Sequence, residues 1–423
     1  MASRILASSL RPLRSSSYAL VWTAALVSNI GSWMQTVALG FVITRNTHDP
    51  LWTGAVAAAA FVPVGLLSPV GGVLADRMDR RRWLITTTLA EAAAATALAA
   101  AAATDHEQPV LLVALAFAGG AASAVGFPTY QAMLPDLVPA DDLLAAVSLS
   151  SAQFNLGRVV GPALAGLVLV TGGAAWAFAA NAISFGAVVA ALAMVRLPPR
   201  PRPAASTPLR RRLADGARAA WASAPCRSAV ILIGIVAVLG SPFIALVPAM
   251  AVDALHRGAA GTSALVTGQG IGAVVGALAL APLAARVGRG PTVRWALVAL
   301  PVALVLYGAV GGLWVDTAAI AVVGACYIGV LSGLNTVVQL HAPGEVRGRV
   351  LGIYMMTLGI GYPVGAVLQG SLAQALGVRT VTVGAAVVLL GVLTLVAALR
   401  SRWLAALGAA TEPALASVAG AEP

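Results

Sequence analysis

Long uninterrupted apolar runs dominate this sequence. About twelve of them reach the roughly 20 residues that a helix needs to cross bilayer hydrocarbon. They cover 18–44, 51–75, 83–104, 109–134, 143–171 and 174–195, then 228–253, 260–285, 292–312, 317–340, 350–375 and 380–399. None alternates strictly between apolar and polar residues, so helices are expected rather than a barrel. Only 10% of the residues are charged, against about 25% in soluble domains, which is too few to cover a water-facing surface. The expected fold class is therefore an all-α membrane protein, with twelve transmembrane helices in two pseudo-symmetric six-helix halves. The halves are residues 1–196 and 228–402. An arginine- and proline-rich linker, 197–227, joins them, and a tail, 403–423, reads as disordered. Within the linker, Pro208 to Ser223 reads as a short surface helix with Trp221 at the membrane interface.

Charge sets the orientation. All 26 basic residues are arginine and the formal net charge is +11. A basic balance can signal nucleic acid, but these arginines cluster beside apolar runs, so topology accounts for them and no nucleic-acid partner is expected. If residue 1 lies inside and the spans alternate, all but four arginines fall on the cytoplasmic side. Arg45, Arg257 and Arg379 fall outside, and Arg158 falls within a helix. The positive-inside rule then places both termini in the cytoplasm. The first run, preceded by Arg4, Arg11 and Arg14, is too long for a signal-peptide core and reads as the first span. Cys226, placed in the linker, and Cys326, placed in a helix, are far apart in sequence, so no disulfide is expected. The four histidines read as scattered loop residues with no metal spacing. No nucleotide-binding loop, catalytic triad or metal cluster is evident. The chain reads as no enzyme, without a cofactor, and drawing its energy from an ion gradient, with protons first.

The loop between the second and third runs carries Gly72-x-x-x-Asp76-Arg77-x-x-Arg80-Arg81. It resembles the loop between helices 2 and 3 of the major facilitator superfamily of secondary transporters, with Asp79 where that family usually has glycine. A shift of 204 residues superposes Pro343 on Pro139, Gly361 on Gly157, Gly365 on Gly161, Gly370 on Gly166 and Gly377 on Gly173. Such an internal repeat fits two equivalent halves. In the family each half is an inverted pair of three-helix units, with the substrate site near the midplane between halves. The resemblance implies alternating access, and a cytoplasmic latch in which Asp76 and, less firmly, Arg80 take part. Arg77 flanks the latch, Asp136 is a candidate partner by charge, and Glu345 and Arg347 belong to the mirror loop. Exposed ion pairs contribute only about 0–1 kcal/mol each, which suits a latch that opens in every cycle.

In the fifth run, Gly157-Arg158-Val159-Val160-Gly161-Pro162-Ala163-Leu164-Ala165-Gly166 resembles the antiporter motif of drug:proton antiporters, with Ala165 replacing a glycine. Small residues four apart let helices approach closely, and proline removes a backbone hydrogen bond. Gly157, Gly161, Pro162 and Gly166 are expected to form a tight seam against the other half. Together with the loops, the motif is most similar to bacterial exporters of the enterobactin-exporter and macrolide-efflux type. That resemblance implies efflux of a drug, siderophore or other hydrophobic metabolite from a bacterial inner membrane by a monomer. The alternative is proton-coupled import of a small anionic metabolite, and a non-transporting membrane receptor stands third.

Arg158 lies about 22 Å into its span at 1.5 Å per residue. An intramembrane arginine costs several kcal/mol unless it is hydrated or paired. It suits an anionic substrate group, proton coupling, or a structural tie to carbonyls or a carboxylate. Asn155 shares its face. Glu91, about 12 Å into the third span, is the one acid well inside a run and is a proton-carrier candidate. Asp253 and Asp316 read as loop-side acids. Further lining candidates are Asn29 and Trp33 on the first helix and Phe127 and Tyr130 on the fourth. Asn335 on the tenth and Tyr354 on the eleventh complete the set. A mixed amide and aromatic wall suits a large amphipathic solute.

Overall fold

The computed structural model describes residues 10–195, 209–343, 346–399 and 407. Every expected run is a helix, and among the described residues twelve helices are long and apolar enough to cross a membrane. The first half holds α1 (Ser16–Thr47), α2 (Pro50–Arg77), α3 (Arg80–Ala103), α4 (Pro109–Leu137), α5 (Leu143–Thr171) and α6 (Ala174–Met194). The second holds α7 (Ala224–Ala254), α8 (Gly258–Val287), α9 (Arg289–Ala309), α10 (Leu313–His341), α11 (Arg347–Leu376) and α12 (Val378–Leu399). A linker helix, Leu209–Ala222, precedes α7. Residues 196–208 and the tail from 408 lie outside the described residues.

Local chemistry sets the boundaries. Asp49 caps α2 by accepting the Leu51 N–H at 2.9 Å, and Pro50 fills the first helical position, where a missing N–H costs nothing. Asp79, the departure from the family's glycine, caps α3 by accepting the Arg82 N–H at 2.8 Å. The junctions into α6 and α12 turn at Gly173 and Gly377, with φ of 80° and 82°. Both take the left-handed conformation that glycine adopts without a Cβ clash, and they are repeat-equivalent. The α7 helix breaks after Leu239, resumes over Phe243–Ala249 and ends in a π turn, Met250–Ala254. Pro242 supplies no N–H to the break. Gln369 of α11 instead donates to the carbonyls of Val238 (3.1 Å) and Leu239 (3.0 Å), as backbone in hydrocarbon requires.

Three sequence expectations change. The second half begins at Ala224, so Cys226 is a buried residue of α7 and not of the linker. His341 is the last residue of α10 rather than a loop residue. Asp316 is no loop-side acid. Its side chain is fully buried one turn into α10 and pairs at 2.8 Å with Arg379 of α12. Arg379 also donates to the carbonyls of Gly308 and Val310 at the end of α9, so one guanidinium ties three helices.

The halves meet along two seams, α2 with α11 and α5 with α8. Gly54 lies under the Ala366 carbonyl, Gly370 under that of Pro50, and Gly65 meets Gly359. At the end of the bundle away from the arginine-rich loops, His48 Nδ1 and Asp253 Oδ1 stand 3.1 Å apart across the halves. There Gly40 of α1 also packs on Pro248 of α7. Gly270 of α8 passes the Arg158 carbonyl where α5 and α8 cross. Nearer the arginine-rich end, Gly348 and Gly352 on the first turns of α11 face open space, and Phe127 and Met355 are exposed.

Removing one partner of a buried ion pair leaves the other charge uncompensated, at a cost of about 3 kcal/mol or more. Arg379→Ala is therefore expected to lower the melting temperature in detergent markedly. Asp316→Leu combined with Arg379→Met should recover most of the loss, whereas equal stability of Arg379→Ala and the parent would show that the pair holds nothing together.

Candidate functional site

The first two glycines of the α5 motif do not face the other half. A Cβ on Gly157 would fall 2.9 Å from Asn29 Cβ, and one on Gly161 would fall 2.6 Å from Trp33 Cβ and 2.7 Å from the Ile30 carbonyl. Both lie against α1 of the same half. Only Gly166 faces across, against Ser263 of α8, whose hydroxyl donates to the Pro162 carbonyl at 2.5 Å. The expected seam is thus corrected: two glycines press α5 onto α1, and the third lets the second half approach. The repeat does the same. Gly361 and Gly365 press α11 onto Ala237 and Val238 of α7, and Gly370 faces Pro50 of the first half.

This packing decides where Arg158 sits. With Gly157 and Gly161 fixing α5 on α1, the intervening residue lies beside Trp33, and its guanidinium carbon is 5.5 Å from the indole centroid. An arginine over a tryptophan face gains a cation–π attraction. Phe154, one turn earlier, meets Trp33 edge-on at 5.8 Å. From the second half, Tyr327 of α10 and Tyr362 of α11 are close enough to act on Arg158 electrostatically. Tyr362 packs edge-on against Phe61 of α2 at 5.2 Å, and Tyr327 against Phe243 of α7 at 5.6 Å. Among the described residues no carboxylate pairs with Arg158, and its buried Nε has no hydrogen-bond partner. A guanidinium presents five donors, so this cation beside the Trp33 face, within electrostatic reach of two tyrosines of the other half, is able to accept an anionic or π-rich group.

The other candidates divide. Asn29 and Trp33 are part-exposed on α1, and Phe127 is exposed on α4. Tyr130 donates to Gln153 at 3.4 Å, and Asn335 accepts from Gln339 at 2.5 Å. Tyr354 is corrected: its ring is buried and its hydroxyl donates to the Leu331 carbonyl at 2.9 Å, so it packs the second half and lines nothing. Glu91 stands against Ser123 between α3 and α4, away from Arg158. Arg80 donates to Asp136 (3.1 Å) and to the Ala132 carbonyl (2.8 Å), both in α4 of its own half. The Asp136 side chain is 4% exposed, so this is a buried tie rather than the exposed pair expected. Arg347 is exposed, and Glu345 and the side chains of Asp76, Arg77 and Asn155 lie outside the described residues.

Sequence reasoning missed Tyr327, Tyr362, Phe61 and Ser263. Tyr362 follows Gly361 and precedes Pro363, so the repeat that aligned the glycines could have found it. Tyr327 and Ser263 have no local signature, because only the crossing of α5, α8, α10 and α11 brings them near the arginine.

Twelve spans, two glycine seams and a cation between the halves fit one kind of machine, and sequence comparison decides the family. Residues 7–416 match the transmembrane secretion effector family. The chain belongs to the major facilitator superfamily. It is 28% identical over 357 residues to the enterobactin exporter EntS of Citrobacter koseri, covering 83% of this chain and 84% of that one. It is 28% identical over 360 residues to EntS of Escherichia coli O1:K1, with the same coverage. The fold is that of a bacterial homologue of the human lysosomal transporter Spinster, with a TM-score of 0.74 at 15% identity over 95% of this chain and 99% of that one. A bacterial homologue of the iron transporter ferroportin gives a TM-score of 0.69 at 16% identity over 92% of this chain and 98% of that one. This member of the superfamily is a multi-pass membrane transporter and not an enzyme.

A methyl group at Gly161 would meet backbone that cannot retreat, and overpacking of this kind costs about 1–3 kcal/mol. Gly186 of α6 has nothing within 4 Å of its would-be Cβ. Gly161→Ala is therefore expected to destabilise the protein in thermal denaturation while Gly186→Ala does not. Equal effects of the two would remove the α1–α5 seam from the account.

Proposed function

We propose that this chain is a proton-coupled secondary transporter that exports a hydrophobic or amphipathic small molecule, a drug, siderophore or secondary metabolite, from the cytoplasm by alternating access. The observation that carries the reading is Arg158, a cation without a carboxylate partner, held among aromatic rings where the halves meet. The positive-inside rule assigns the arginine-rich end of the bundle to the cytoplasm of a bacterial inner membrane. Both termini are then cytoplasmic. A solute enters from that side, its π-rich or anionic part meets Arg158 and Trp33, and the halves rock about the α2–α11 and α5–α8 seams. Export follows the activity named for the EntS relatives. Glu91 is the candidate proton carrier, since among the described residues it is a carboxyl well inside a span with no ion pair. The missing counter-ion at Arg158 also favours a second reading, uptake of a small anionic metabolite, and the direction of flux separates the two.

Inside-out vesicles with an acid interior, offered lipophilic drugs and a siderophore, test this reading. Substrate-dependent loss of the pH gradient is expected. A charge-assisted hydrogen bond contributes about 1.5–3 kcal/mol, so Arg158→Ala should weaken the response about tenfold or more. Glu91→Gln should abolish proton movement while leaving substrate binding in place. An undiminished response in both variants would retire both residues, and uptake in whole cells without efflux from vesicles would select the importer.

A further inference from the structure

The linker helix has two unlike faces. Arg211, Ala214, Arg218, Trp221 and Ala222 are exposed. Their spacing of i, i+3, i+7, i+10 and i+11 makes one stripe along the helix. The opposite side is packed: Gly216 and Ala220 are buried. A Cβ on Gly216 would stand 2.9 Å from the Arg349 carbonyl, so the helix backbone lies directly on the first turn of α11. Asp215 secures that contact, accepting from Arg349 at 3.3 Å and from Arg218 at 2.6 Å. At the far end Arg227 of α7 donates to the Trp221 carbonyl at 2.9 Å, capping the linker helix where it turns into the membrane span. The helix is thereby held at the level where α7 and α11 leave the hydrocarbon.

An exposed stripe of arginines ending in a tryptophan, at that level, has the chemistry of a helix lying in the headgroup layer. Arginine pairs with phosphate, and tryptophan settles at the boundary of headgroup and acyl chain. Among the described residues the acid beside the stripe is Asp215, shared between Arg218 and Arg349, so one negative charge stands against Arg211, Arg218 and Arg349 and the surface keeps a positive excess. We infer that the Arg211–Arg218–Trp221 face docks on anionic phospholipid headgroups, and that through Asp215 and Gly216 this docking anchors the arginine-rich end of α11. Because α11 forms one of the two seams between the halves, the lipid beneath the linker bears on the element that must move.

Hydrogen exchange of the full chain in nanodiscs tests this directly. Peptides covering Leu209–Ala222 should exchange several-fold more slowly in discs containing phosphatidylglycerol than in phosphatidylcholine discs. The difference should vanish at high salt, because the attraction is screened. It should be lost in Arg211→Ala/Arg218→Ala and retained in Arg211→Lys/Arg218→Lys, which keeps the charge and guards against a folding defect. Equal exchange in the two lipids, a difference that survives the double alanine variant, or equal protection by inorganic phosphate in phosphatidylcholine discs would each overturn the inference.

Discussion

A guanidinium without a carboxylate, held deep inside a bundle that spans a membrane, is the constraint around which this molecule is arranged. Such a charge is tolerated only where water, rings or a ligand can reach it. Arg158 has the Trp33 face beside it and two tyrosines of the opposite half within electrostatic reach. The contacts that surround it therefore depend on how the halves are docked. On the proposed alternating access, part of the cation's environment would be exchanged as the halves rock. The contrast with Arg379 is instructive. That arginine has a buried carboxylate and two carbonyls, all within one half, and serves as a fixed strut.

The glycines make the arrangement possible by dividing two tasks along one helix. On α5 the first two remove volume against α1, fixing the register that points Arg158 at Trp33, and the third removes volume against α8. The repeat-equivalent glycines of α11 do the same against α7 and α2. Without a hydrophobic driving force between helices in lipid, close packing and interhelical hydrogen bonds carry the association. The bond from Ser263 to the Pro162 carbonyl and those from Gln369 to the broken α7 are of this kind. Among the described residues, side-chain hydrogen bonds that cross between the halves include Ser263 to Pro162 and His48 with Asp253.

Most of the fold was legible because hydrocarbon imposes a length and a composition on every span, and both are written in consecutive residues. Arg158 was legible too, since one charge in a long apolar run stands out. The glycine repeat announced close packing but not its direction. A small residue says that something approaches, while the helix that approaches is a matter of tertiary topology. The same limit explains Tyr354, which has the right spacing for a lining residue and points into its own half. It also explains Asp316, whose position near a helix end looked like a loop until Arg379 arrived from α12. The surroundings of Arg158 needed four helices from two halves, and no local pattern encodes their crossing.

The account rests on the two ends of the bundle opening in opposition, and paired spin labels measure that most directly. In a background with Cys226 and Cys326 replaced, one pair at Gln131 and Gln339 spans the arginine-rich end. A second pair at Val110 and Trp314, both highly exposed, spans the other end. The account predicts that a transported compound or a change of pH moves the two distances in opposite directions. Distances that move together, or that stay fixed while transport proceeds, would contradict it.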